Sequence, residues 1–116
     1  MSSFEVTGGK KLSGEITPQG SKNEALQVIS AVLLTSEKVT INNIPDILDV
    51  NLQIGLLGEL GVKLERVNRH TCIFQADNID VEYLHSDAYH KKSGRLRGSV
   101  MLAGPMLARF KKAFIL

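Results

Sequence analysis

The sequence predicts an α/β (α+β) domain built on a βαβαββ unit, one complete copy followed by the start of a second. Three observations lead there. Residues 22–35 form the most apolar run of the chain, and Gly20-Ser21-Lys22-Asn23 stand at its head. Helical and strand-like stretches then alternate in the order the unit needs. Finally, a faint internal repeat sets Lys38-Val39-Thr40-Ile41 against Lys112-Ala113-Phe114-Ile115, Leu33 against Leu107, Val28 against Leu102, Ala25 against Ser99 and Asn23 against Arg97.

The elements follow in order. Phe4-Glu5-Val6 and Leu12-Ser13-Gly14-Glu15-Ile16 alternate around Gly8, Gly9 and Lys10, which predicts a short antiparallel hairpin. In residues 22–35, apolar side chains cover most of the helix circumference, the mark of a buried helix. Ser21 is its expected N-cap, with Glu24 at capping-box spacing. Lys38–Asn43 reads as a strand broken by Pro45, and Asp46 or Asp49 can serve the positive end of the next helix. That helix spans about 46–60, with Ile47, Val50, Ile54 and Leu57 on one face and Gly61 as its C′ residue. Val62–Val67 and Thr71–Gln75 read as strands joined by Asn68-Arg69-His70. Residues 76–93 are polar and read as a loop or short exposed strand. A second apolar helix begins near Arg97, with a kink predicted at Pro105. Ala113–Leu116 is strand-like. An apolar strand in that place needs a partner, so the chain is expected to be a fragment of a longer polypeptide.

Composition narrows the function classes. The chain has 116 residues, 43% hydrophobic and 22% charged, with a net charge of +2, as expected of one soluble globular domain. Trp is absent and aromatic residues make up 5%, which argues against a base-stacking nucleic-acid surface. The basic residues of the last third, from His90-Lys91-Lys92 to Lys111-Lys112, read as a solvated face. The apolar run around Val28–Leu34 is far shorter than a membrane span, which takes roughly 20 residues. There is no secretory signal pattern at the N-terminus. One cysteine, Cys72, excludes an intramolecular disulfide and suits a reducing, cytoplasmic location.

Lys22 and Asn23 are the first candidates for chemistry. The first N–H groups of a helix lack partners and carry partial positive charge. A Lys and an amide there can bind a phosphate or carboxylate, the alternative being a solvated first turn. The spacing is not that of a P-loop. Arg97, with Arg95 as its rival, heads the second apolar run, and a guanidinium suits bidentate contact with an oxyanion. If the two helices pack as neighbours, Lys22 and Arg97 face one cleft; otherwise Arg97 is a surface residue. His70, His85, His90 and Cys72 have no metal-ligand spacing. Cys72 reads as an inert core thiol, and the acidic residues of 77–87 as solvated. No catalytic nucleophile or acid–base pair, no metal site and no cofactor is expected within this chain.

Gly20-Ser21-Lys22-Asn23-Glu24-Ala25-Leu26 resembles the G-[AS]-K-N-x-A-L signature of the UDP-N-acetylglucosamine enolpyruvyl transferases. The likeness continues through Val39–Pro45, Asp49-Val50, Leu56–Glu65, Arg97-Gly98-Ser99-Val100 and Gly104–Phe110. The sister family acting on shikimate 3-phosphate shares the fold but typically carries Ser where Asn23 stands. The resemblance implies the inside-out barrel (β-prism) fold, with two domains of three βαβαββ units each. Residues 1–21 would be strands of the other domain, 22–80 the first complete unit, and 81–116 a loop and the truncated start of the second. It implies transfer of the enolpyruvyl group of phosphoenolpyruvate to the 3-hydroxyl of UDP-N-acetylglucosamine, a step of peptidoglycan synthesis. Lys22 and Asn23 would bind phosphoenolpyruvate, with Asn23 also near the sugar nucleotide, and Arg97 would bind UDP-N-acetylglucosamine. The family's mobile loop, with Cys or Asp in a Pro-Gly-Gly context, would follow Leu116, so the chain alone is expected to be inactive. Its expected partners are these two substrates and the rest of its own polypeptide, with no nucleic acid and no membrane. Two other readings make different predictions. A stand-alone phosphate or nucleotide-sugar binding module would bind ligand by itself, and an interaction fragment would self-associate through open strands.

Overall fold

The computed structural model describes residues 2–114. After a segment without helix or strand come α1 (Lys22–Ala31), a 3-10 turn (Val32–Leu34), β1 (Lys38–Ile41), α2 (Leu48–Glu59), β2 (Lys63–Asn68) and β3 (Thr71–Gln75). A second 3-10 turn (Val81–His85), α3 (Asp87–Arg95), a third 3-10 turn (Arg97–Leu102) and α4 (Ala103–Phe110) complete the order. Residues 22–75 therefore have the αβαββ order read from the sequence, and the fold is mixed α/β.

The sheet has strand order β1-β3-β2 and is antiparallel throughout. Alternation sets its faces. Cys72 and Phe74 of the central strand turn inward and are fully buried, while β2 is exposed along its whole length. Charges on that edge strand, Lys63, Glu65 and Arg66, discourage further pairing. Helical periodicity builds the other side of the core. Ala25, Leu26 and Ile29 of α1 meet Val50, Ile54 and Leu57 of α2, with Val32 and Leu33 beneath. Gly61 ends α2 as expected, at φ +108°, a conformation that a side chain disfavours. The β1–α2 loop is tied to the β2–β3 turn twice. The Ile44 N–H donates to the His70 carbonyl at 2.8 Å, and His70 Nδ1 lies 2.8 Å from the Ile44 carbonyl.

Several expectations are corrected. The N-terminal hairpin is absent, because residues 2–20 form no strand and Phe4, Val6, Leu12 and Ile16 are almost wholly exposed. Two short strands alone bury too little to hold together. The run 22–35 is not buried all round, since Val28 is 42% and Leu34 53% exposed. Its main contacts are with α2 and the segment from Arg97 to α4. Residues 76–93 are not mainly loop. Ser86 Oγ accepts from the Tyr89 N–H at 3.1 Å and caps α3, whose apolar period is weak because only Tyr89 and Ser93 are buried. The run from Arg97 is not one kinked helix but a 3-10 turn followed by α4. Pro105 has no N–H to complete an α-helical ladder through residue 101, and it is tolerated in the first turn of a new helix instead. Ala113 lies outside any strand, and the end of the predicted 113–116 strand lies outside the described residues.

Glu59 joins α2 to the elements that follow. It accepts from Tyr83 Oη at 2.6 Å and pairs with Lys92. The Lys92 ammonium, and after it the Tyr83 hydroxyl, hold the Glu59 carboxyl below its usual range. Burial, and after it the Glu59 carboxylate, push the Tyr83 phenol up to about 12.

Leu33→Ala should lower the unfolding free energy by about 2–5 kcal/mol, whereas Val28→Ala on the open face should change it by no more than about 0.5 kcal/mol. Urea denaturation of both variants measures the contrast, and equal losses would contradict the open face. A carboxyl with a depressed folded-state value stabilises above its unfolded value and loses that contribution as pH falls through the folded one. Acid titration followed by tyrosine circular dichroism should therefore show α3 loosening below the ordinary Glu range, and Glu59→Gln should remove that step.

Candidate functional site

The start of α1 is held by its neighbours. Ser21, in extended conformation, accepts the Glu24 N–H on its Oγ at 3.4 Å, the cap expected from the sequence. Gly20 passes so close to the β1–α2 loop that an added Cβ would lie 1.9 Å from the Asn43 carbonyl oxygen and 3.1 Å from Pro45 Cδ. No other residue fits there without movement of the backbone, so the entry to α1 is pinned.

From that entry Lys22 and Asn23 project into solvent. Lys22 Nζ pairs with Asp49 Oδ2 at 2.6 Å, both side chains about half exposed. Asp49 is the site residue that sequence reasoning missed. The sequence offers it, with Asp46 as the alternative, for the positive end of its own helix, and the packing of α1 on α2 brings it to Lys22. Its position in the first turn of α2 and its place in the Asp49-Val50 stretch of the resemblance were the available signals.

Arg97 opens the third 3-10 turn. Leu96 before it and Gly98 after it are buried, and the Arg97 side chain is left outward. Lys22, Asn23, Asp49 and Arg97 line one cavity of about 430 Å³, with Leu26 and Gly98 among its apolar walls. Two cations, one carboxylate, an amide and the N-terminal end of α1 thus meet in one cleft, with an excess of positive charge suited to an anion. Arg95 does not border this cavity. It lines a separate one of about 440 Å³ with Leu52, Glu59 and Lys92. Both arginines also border a third cavity, of about 410 Å³, beside Phe114.

The remaining candidates lie elsewhere. Cys72 is fully buried in β3, and burial raises its thiol above the usual value, so it is not a nucleophile as it stands. His70 is tied to Ile44 as described. His90 lies with Nε2 3.0 Å from the Leu84 carbonyl and its ring stacked on Phe114 at 4.1 Å. Among the described residues no three His, Cys, Asp or Glu side chains are grouped so as to hold a metal ion, and no helix is long and apolar enough to cross a membrane.

Comparison with known proteins gives this geometry a context. The profile of the family described as EPSP synthase (3-phosphoshikimate 1-carboxyvinyltransferase) matches residues 6–116. A UDP-N-acetylglucosamine 1-carboxyvinyltransferase of Bacteroides thetaiotaomicron is 59% identical over 115 residues, which are 99% of this chain and 26% of that protein. A protein of the same name from Porphyromonas gingivalis is 56% identical over 95% of the chain and 25% of its own length. One from Wolinella succinogenes is 36% identical over 97% of the chain and 26% of its own length. The chain spans about a quarter of the length of these relatives.

Gly20→Ala should displace the Asn43–Pro45 loop and destabilise the fold by about 1–3 kcal/mol, a typical cost of overpacking. Thermal unfolding measures it, and an unchanged midpoint would contradict the close approach.

Proposed function

We propose, from the premise that this chain belongs to the EPSP synthase (3-phosphoshikimate 1-carboxyvinyltransferase) family, that it forms part of a UDP-N-acetylglucosamine 1-carboxyvinyltransferase. The reaction would transfer the enolpyruvyl group of phosphoenolpyruvate to the 3-hydroxyl of UDP-N-acetylglucosamine and release inorganic phosphate. That makes it a cytoplasmic transferase at the first committed step of peptidoglycan synthesis. The family name alone leaves the acceptor open between shikimate 3-phosphate and the sugar nucleotide. The names of relatives at 56–59% identity, and Asn23 rather than Ser after Lys22, favour the sugar nucleotide.

The observation that carries the reading is the shared cavity of Lys22, Asn23 and Arg97. Both substrates are anionic, a phosphorylated carboxylate and a diphosphate, and the cavity offers two cations and an amide side by side. In this reading Lys22 and Asn23 hold phosphoenolpyruvate, while Arg97 rather than Arg95 takes the nucleotide diphosphate. Asp49 holds Lys22 in place before substrate arrives. Residues 22–80 are one complete repeat unit and 81–116 begin the next. Residues 1–21, of which 2–19 are exposed and without helix or strand in the structure, add strands to a second domain. The catalytic loop and the rest of the nucleotide site would come from the counterpart of the relatives' remaining length.

The full-length polypeptide should release phosphate from phosphoenolpyruvate with UDP-N-acetylglucosamine and not with shikimate 3-phosphate, whereas the 116-residue chain should release none above a blank. Lys22→Ala should lower kcat by about 100-fold or more. Arg97→Ala should weaken UDP-N-acetylglucosamine binding roughly 10- to 100-fold in calorimetry, with Arg97→Lys recovering only part of the loss. Turnover of shikimate 3-phosphate would transfer the assignment to the sister reaction.

A further inference from the structure

Gln53 of α2 is fully buried. Its Nε2 donates to Ser30 Oγ at 2.8 Å and to the Gly98 carbonyl at 3.2 Å. Ser30 Oγ in turn donates to the Leu26 carbonyl at 2.7 Å. One amide group therefore links α1, α2 and the 3-10 turn that carries Arg97. Gln53 Oε1, however, has no hydrogen-bond partner among the described residues.

A buried polar group left half satisfied is a net cost. Rotating the amide does not help, because it would set Oε1 against the Gly98 carbonyl, acceptor against acceptor. The arrangement holds the Gly98 carbonyl while one oxygen of the same amide stays unpaired. Gly98 adjoins Arg97, and a glycine backbone is otherwise the freest in the chain. Fixing its carbonyl from α2 fixes the turn that places Arg97 on the wall of the Lys22 cavity.

We propose that Gln53 is a positioning residue for Arg97, acting through the Gly98 carbonyl to set the guanidinium for the nucleotide diphosphate. This rests on the role of Arg97 proposed above. Gln53 touches no substrate. Its effect is to reduce the orientations Arg97 must abandon on binding, and so to raise affinity by preorganisation.

The test is a double-mutant cycle in the full-length polypeptide, with UDP-N-acetylglucosamine affinity read by calorimetry. Gln53→Met should weaken binding roughly 5-fold, the scale of one hydrogen bond. Combined with Arg97→Ala it should add no further loss beyond about twofold, because Gln53 acts only through the contact that Arg97→Ala removes. Losses that add in full would mean a merely structural role and overturn the inference. So would a Gln53→Met affinity equal to wild type beside a normal Arg97→Ala loss, and that result would leave the Arg97 reading intact. An unchanged Arg97→Ala affinity would overturn the Arg97 reading and this inference with it. Should Gln53→Met not fold, nuclear magnetic resonance of the wild-type Gln53 side-chain amide replaces it. That signal should shift as UDP-N-acetylglucosamine saturates the protein and stay unmoved in Arg97→Ala at saturating ligand; a wild-type signal that does not move overturns the inference.

Discussion

The packing of α1 against α2 on one side and against the Arg97–Leu102 turn on the other is the constraint from which the rest of the structure follows. Apolar side chains of α1 supply the force. Leu26 and Ile29 leave water together with Val50, Ile54 and Leu57, and burial of this kind is the main favourable contribution to folding. The same packing carries the polar ends of these elements along with it. Lys22 at the start of α1, Asp49 at the start of α2 and Arg97 at the start of the turn come to one cleft because the bodies behind them are in contact. The Gly20 approach to Asn43 and Pro45 then leaves the first turn of α1 little freedom to slide along its neighbours.

Within that cleft, electrostatics and burial act at different depths. The Lys22–Asp49 pair is about half exposed, and exposed pairs are worth only about 0–1 kcal/mol. Such a pair can orient Lys22 without resisting an incoming anion strongly, since little is lost when the ammonium turns to a better partner. The Gln53 network lies beneath it and away from water, where each polar contact matters more. A buried hydrogen-bonded layer with a half-exposed charged pair nearby suits the anion site proposed above. Arg109 adds a similar tie at the far end of α1, donating from Nη1 to the Leu33 and Thr35 carbonyls at 2.9 and 3.0 Å, so that α4 is latched where α1 ends.

Legibility in the sequence followed the strength of local patterns. The α1–β1–α2–β2–β3 order was readable because each element has a clear period and a clear stop, such as Gly61 after α2. Helix α3 was missed because Tyr89 and Ser93 alone face inward, too few to mark a period, although Ser86 and Asp87 at its start and Lys92 and Arg95 at its end are proper helix signals. The break at Leu102–Ala103 was half read. Pro105 announced a disturbance, but whether the chain kinks or restarts depends on what it packs against. The N-terminal hairpin failed for the opposite reason. Alternation between Phe4 and Ile16 is a real strand pattern, but the pattern says only that a face wants covering and not that the two segments cover each other.

For the site, the identity of the groups was local information and their meeting was not. The signature at Gly20–Leu26 marks a capped helix start with a Lys and an Asn, and the resemblance joins it to Arg97. By itself the sequence determined the secondary elements with strong periods, the cap at Ser21, the buried character of Cys72 and the candidates Lys22, Asn23 and Arg97. Only the tertiary structure decided that Arg97 and not Arg95 borders the Lys22 cavity, that Asp49 neutralises Lys22, and that Gln53 reaches from α2 to the Gly98 carbonyl. Capping and periodicity act between residues a few positions apart, where spacing encodes geometry. These latter contacts join residues distant in sequence, and their distances are set by how whole helices pack.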